Sequence, residues 1–189
     1  MPNVSRSLPW NRVSLRAALS MMTVAVLAHA AASAVDPSGL GATLTGLDRY
    51  KKIMVSRTSR GKLKKKVISR GADPVAPSVT FGTGASESGP FTISSYESFP
   101  VQGTWTVAPH DHLTLAVDAD AFAAQKGPEL CPASSCTPTA TWTPRSAKVN
   151  PRTNVLSVKW RVTVRQANAD GTYVEETFAF KGAGPLLHP

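Results

Sequence analysis

The chain is 189 residues long and 42% apolar, with a formal charge of +9 and two cysteines. Once a leader is removed, that length suits a single domain burying roughly 70% of its extended surface. The cysteines sit as CPASSC, a spacing that excludes a CxxC redox motif, and the positive charge is local. Residues 49–71 hold ten Lys or Arg and no Asp or Glu.

Residues 1–34 read as a secretory leader. Arg6, Arg12 and Arg16 form a positive start, Ala17–Ala28 is an apolar run too short to span a bilayer, and AHAAASA offers small residues to a signal peptidase. Cleavage is expected after Ala34, with Ala30 as the alternative. No Cys follows the apolar run and no Arg pair precedes it. The expected product is therefore a non-lipidated protein of the general secretion route, periplasmic or extracellular, with a single domain over 35–189. Removing the three arginines takes the charge from +9 to +6. Residues 49–71 alone carry +10, so the rest of 35–189 is −4.

The first structured segment expected is RYKKIMVSRTSRGKLKKKVISRG, residues 49–71. As strands, KLKKKVISR sets Lys62, Lys64, Lys66 and Arg70 on one face and Leu63 and Val67 on the other. A hairpin turning near Ser59–Gly61 is favoured over a basic amphipathic helix, because Thr58–Gly61 interrupts the pattern and β-branched residues are frequent. SVTFGT and PFTISSY read as two further strands separated by GTGASESG. VQGTWTV and LTLAV are joined by an odd connector, APHDH, which lets Trp105 sit opposite Leu115. DADAFAAQKG is the one convincing helix, capped by Asp118 or Asp120 and ended by Gly127-Pro128. TATWTPRSAKV is a strand with a bulge or break at Pro144.

The clearest alternation is NVLSVKWRVTVRQ. Leu156, Val158, Trp160, Val162 and Val164 share one face; Lys159, Arg161 and Arg165 share the other. TYVEETFAFKG follows, with Val174, Phe178 and Phe180 apolar. For the two apolar faces to meet, the loop must be odd, so a three-residue turn with Gly171 or Asp170 left-handed is expected. Eight or nine strands linked by hairpins make a meander, and a meander of that size closes to remove its edges. The expected fold is all-β: an antiparallel up-and-down barrel of eight or nine strands with one short helix. A β-sandwich is the alternative. An outer-membrane barrel is not expected, because Lys159, Arg161, Arg165, Glu175 and Lys181 lie on the second faces, each costing about 2–4 kcal/mol near a bilayer midplane.

The order of these motifs, from the basic Gly-Lys-Leu-Lys hairpin through GTWTV, LTLAVD, AKVNPRTNVLSVKW and FAFKG, resembles uncharacterised exported bacterial proteins with lipocalin-like barrels over residues 43–183. Gly103-Thr104-Trp105 matches the lipocalin G-x-W pattern, here mid-chain rather than in the first strand. The resemblance implies a lipocalin-like barrel.

Two functional readings compete. The aromatic inner face suggests a non-catalytic binder of a small apolar or amphipathic ligand, with Trp105, Leu115, Trp160, Val162, Glu176 and Phe178 as cavity candidates. Glu176 is the discriminating residue, since it falls on an otherwise apolar face and belongs either at a rim or in a pocket. The alternative is an interaction module docking on anionic envelope surfaces, membrane or polymer, through Arg49, Lys51, Lys52, Lys62, Lys64, Lys65, Lys66 and Arg70. Nucleic acid is not an expected partner, because the chain is exported and only Tyr50 could stack within the basic stretch. Cys131 and Cys136 are expected to pair. His110-Asp111-His112 lacks a third ligand, so no metal is expected, nor any other cofactor. Asp118 and Asp120 are placed as helix caps rather than a catalytic pair, and an enzyme, a hydrolase at most, is the remote alternative.

Overall fold

The computed structural model describes residues 36–84, 87–131 and 136–188; the leader expected over 1–34 lies outside them. Among the described residues the chain forms ten antiparallel strands and one helix. They are β1 (Gly41–Thr43), β2 (Thr45–Arg57), β3 (Leu63–Val75), β4 (Ser78–Phe81), β5 (Ser88–Ser94), β6 (Val101–Ala108), β7 (His112–Val117), α1 (Ala119–Leu130), β8 (Cys136–Asn150), β9 (Val155–Asn168) and β10 (Tyr173–Pro185). Their order in the sheet is β1-β4-β5-β6-β7-β8-β9-β10-β2-β3.

Ten strands reduce to eight runs of chain. Only Leu44 separates β1 from β2, and only Ala76 and Pro77 separate β3 from β4. The register passes through both gaps without a shift: Gly41 faces Thr80, Leu44 donates to the Pro77 carbonyl at 2.8 Å, and Gly46 faces Val75. The interruption comes from Pro77, which has no N–H to give the ladder. On the other side of the same run, Thr45 faces Ala183, and the register extends to a bridge between Gly41 and Leu187. The run 41–57 therefore has β4 and β3 on one flank and β10 on the other, so one rim closes as a ring of eight.

The opposite rim is a half-barrel. There β8, β9, β10, β2 and β3 are 13 to 15 residues long, whereas β4 to β7 are only four to eight. Helix α1 packs against the inside of this tall wall. Phe122 is buried between Phe99, at 5.7 Å between ring centres, and Trp142, at 5.4 Å edge-on. Asp118 is the N-cap, accepting from the Ala121 N–H at 3.0 Å. The helix does not stop at Gly127-Pro128 but runs to Leu130. A proline in helical geometry costs one hydrogen bond, and the preceding Gly127 tolerates the backbone that Pro128 imposes on it. Tertiary ties hold the overrun: Lys126 reaches Glu97 at 2.6 Å, Ser98 donates to Glu129, and Gln166 donates to the Leu130 carbonyl.

The loop parities follow the sequence. The β9–β10 turn has three residues with Gly171 at φ +82°, and Phe180 faces Trp160. Trp105 faces Leu115. The ladder of β8 shifts between Pro144 and Ser146, extruding Arg145.

Candidate functional site: a basic outer wall

The interior is filled by side chains. Trp105, Leu115, Trp160 and Val162 belong to one buried cluster, with Phe178 packed against its margin. Trp160 stacks on Phe180 at 4.3 Å and meets Trp142 and Tyr96 at 5.3 Å. Such pairs are worth about 0.5–1.5 kcal/mol each beyond their burial. Five of the six cavity candidates thus belong to the packed interior or its margin. Glu176, the sixth, sits toward the open rim, where it pairs with Lys52 at 2.5 Å in a part-exposed setting.

One polar group intrudes on this packing. Asp48, on β2, faces Asp73 on β3, and burial raises its carboxyl above the ordinary value, with the Asp73 charge adding to the effect. Tyr96 lies beside Asp48 and the Trp160 indole, and burial likewise raises its hydroxyl. Their contact falls outside good hydrogen-bond geometry, so Asp48 Oδ1, the Tyr96 hydroxyl and Trp160 Nε1 are left without partners among the described residues.

The outer face differs. Because closure sets β10 beside β2, the polar faces of four strands join. One row across them reads Lys159, Lys181, Leu47; the next Arg161, Ala179, Arg49, Ala72; the next Thr163, Thr177, Lys51, Arg70. A groove of 600 Å³ runs here, lined by Arg49, Arg145, Lys159, Arg161 and Lys181 around Leu47 and Ala179. Beside it a second groove of 370 Å³ takes in Lys51, Lys65 and Glu175. Two cross-strand pairs, Lys159 opposite Lys181 and Lys51 opposite Arg70, set like charges face to face, an arrangement that destabilises a sheet. Among the described residues no carboxylate lies within ion-pair distance of either pair, or of Arg49, Lys65, Arg145 or Arg161. Glu175 is taken by Arg165, whose guanidinium also covers Tyr173 at 4.3 Å.

The basic hairpin exists, with its turn over 58–62 and Gly61 at φ +75°. Arg57 ties it to the neighbouring β9–β10 turn, donating to the Gly61 carbonyl at 2.9 Å and to the Asp170 carbonyl. Its faces need one correction. A bulge sets Ile53 against Val67 and Lys52 against Ser69, so Ile68 is extra. Beyond that point inside and outside exchange. Arg70 therefore shares the outer face with Leu63, Lys65 and Val67, not the face of Lys64 and Lys66, which lies on the side of Lys52. Of the expected docking residues, Arg49, Lys51, Lys65 and Arg70 come together on the wall. Lys52, Lys64 and Lys66 face the other way, and Lys62 belongs to the turn.

Arg145, Lys159, Arg161 and Lys181 complete the wall and were not expected to share it with the hairpin. The alternation of β9 and β10 already put three of them on an outer face; the missing step was the closure that makes those strands neighbours of β2. His110 and Asp111 occupy the β6–β7 turn with positive φ, and His112 opens β7; among the described residues no three metal-ligating side chains cluster. Cys131 and Cys136 form a disulfide with Cα atoms 6.0 Å apart, joining the end of α1 to the start of β8. No family model, curated protein or solved structure matches this chain.

Proposed function

We propose that this is an exported, non-catalytic barrel that docks on anionic envelope surfaces through its outer basic wall. The observation that carries the reading is the pair of like-charged contacts, Lys159 with Lys181 and Lys51 with Arg70, in a field without carboxylate partners. A wall built only to be soluble gains nothing from such pairs. A wall that meets anions recovers their cost when an anion sits between the cations.

Eight cations face that way: Arg49, Lys51, Lys65, Arg70, Arg145, Lys159, Arg161 and Lys181. At about 1 kcal/mol for each cation near an acidic surface, the gross attraction is on the order of 8 kcal/mol before ordering costs. That sets a ceiling of roughly micromolar affinity, weakening steeply with salt. Retention of the purified protein on an anionic matrix tests it. Arg161→Gln with Lys181→Gln should shift elution to clearly lower salt while leaving the fold as stable or more stable. Unchanged elution would sink the reading.

A further inference from the structure

The outer wall carries aliphatic surface among its cations, and that mixture separates one class of anionic partner from another. Along β3 the outer face reads Leu63, Lys65, Val67, and the bulge leaves Ile68 next to Val67 without a partner across the ladder. Leu63, Val67 and Ile68 are 54%, 47% and 46% exposed. Leu47 is exposed to a similar degree in the groove that Arg49 and Lys181 line. β3 is also the outermost strand: every residue from Leu63 to Pro74 is exposed, and among the described residues no strand pairs with its far edge. Edge strands are ordinarily protected by charge, proline or a bulge. Here the charges are interleaved with branched aliphatics, which a solvated edge does not need.

A soluble polyanion offers phosphate or sulfate but nothing for these side chains to enter. A bilayer offers both within a few ångströms: phosphates at the headgroup level and acyl chain just beneath. The turn over 58–62 carries Arg60 and Lys62 and no apolar residue, so entry tip-first would drive charge past the headgroups. The geometry that places cations and aliphatics together is flat contact along the strand.

We infer that the partner is an anionic phospholipid bilayer, against which the outer face of β2 and β3 lies flat. Leu63, Val67 and Ile68 enter the interface while Arg49, Arg161 and Lys181 hold headgroup phosphates. This rests on the docking reading above, and the two can fail separately.

The test compares vesicles of equal phosphatidylglycerol and phosphatidylcholine, vesicles of phosphatidylcholine alone, and a heparin matrix. The protein should bind the anionic vesicles, ignore the neutral ones and be retained on heparin. Replacing Leu63, Val67 and Ile68 by Ser should weaken anionic-vesicle binding by about tenfold or more, the scale of losing partial burial of three aliphatic side chains. Heparin retention should stay as it was. Leu63→Trp, which adds interfacial area without removing packing, should tighten vesicle binding and leave heparin retention alone. Heparin retention with no vesicle binding overturns the bilayer and leaves a soluble polyanion; vesicle binding indifferent to both sets of changes overturns the entry of these side chains into the interface. Binding to neither surface overturns the docking reading with it.

Discussion

β9 and β3 are nearly equal in length, fourteen and thirteen residues, yet they differ most in what they bury. β9 hides Leu156, Val158, Trp160, Val162 and Val164 on one face; β3 hides none of its side chains. Both carry cations on the outside. The difference lies in their neighbours. β9 has β8 and β10 as flanks and an inner face turned to the packed core, whereas β3 has β2 on one side only. Apolar residues are thus not enough to bury a strand; closure and a covering layer are. Where the barrel closes, the pattern becomes core, and where it stays open the same pattern stays in water.

The largest way to break that comparison is at Trp160, which is 2% exposed and touches three other aromatic rings. Trp160→Ala should cost about 3–5 kcal/mol, because the stack cannot collapse into the space. The urea midpoint would fall accordingly, and a loss under 1 kcal/mol would mean the interior is not packed as described. Next in size is the disulfide. Cys131→Ser with Cys136→Ser removes a six-residue ring and should cost roughly 2 kcal/mol on loop-entropy grounds. The hairpin end of the molecule should not feel it, so hydrogen exchange in β2 and β3 should be unchanged.

A smaller effect, with the opposite sign, is expected at Asp48. Its carboxyl is raised in the folded state, chiefly by burial and further by Asp73. The folded protein therefore holds that proton more tightly than the unfolded chain does. Stability falls as pH rises from the ordinary value of 3.8 through the raised one, and the full penalty remains above it. Asp48→Asn removes the penalty. The variant should be more stable than the parent near neutral pH, with the advantage disappearing in acid. A constant difference across pH would assign the effect to packing instead.

Local pattern sufficed for some of this architecture. The odd loop before Tyr173, the facing of Trp105 and Leu115, the bulge at Pro144 and the hairpin before Lys62 are each decided within about fifteen residues, by alternation and turn chemistry. Three features were out of reach. The bulge at Ile68 turns on a one-residue shift against β2 that side-chain type does not announce, and it moves Arg70 to the other face. The overrun of α1 past Pro128 depends on Glu97, Ser98 and Gln166, remote in sequence. The wall itself depends on Leu187 returning to Gly41 and β10 lying beside β2, across more than a hundred residues. The cations of β9 and β10 were visible as an outer face, but only that contact joins them to the hairpin.

The smallest effect is the sharpest test of the contrast between the two strands. Leu63 and Val67 sit half in water, paired with Arg57 and Ile53 on a strand that has no second neighbour among the described residues. Leu63→Ser and Val67→Ser should each change stability by no more than about 0.5 kcal/mol, as surface positions do. The same change at Val158 or Val162, fully enclosed on β9, should cost several times that. If the β3 substitutions proved as costly, these side chains would be packing residues of the fold.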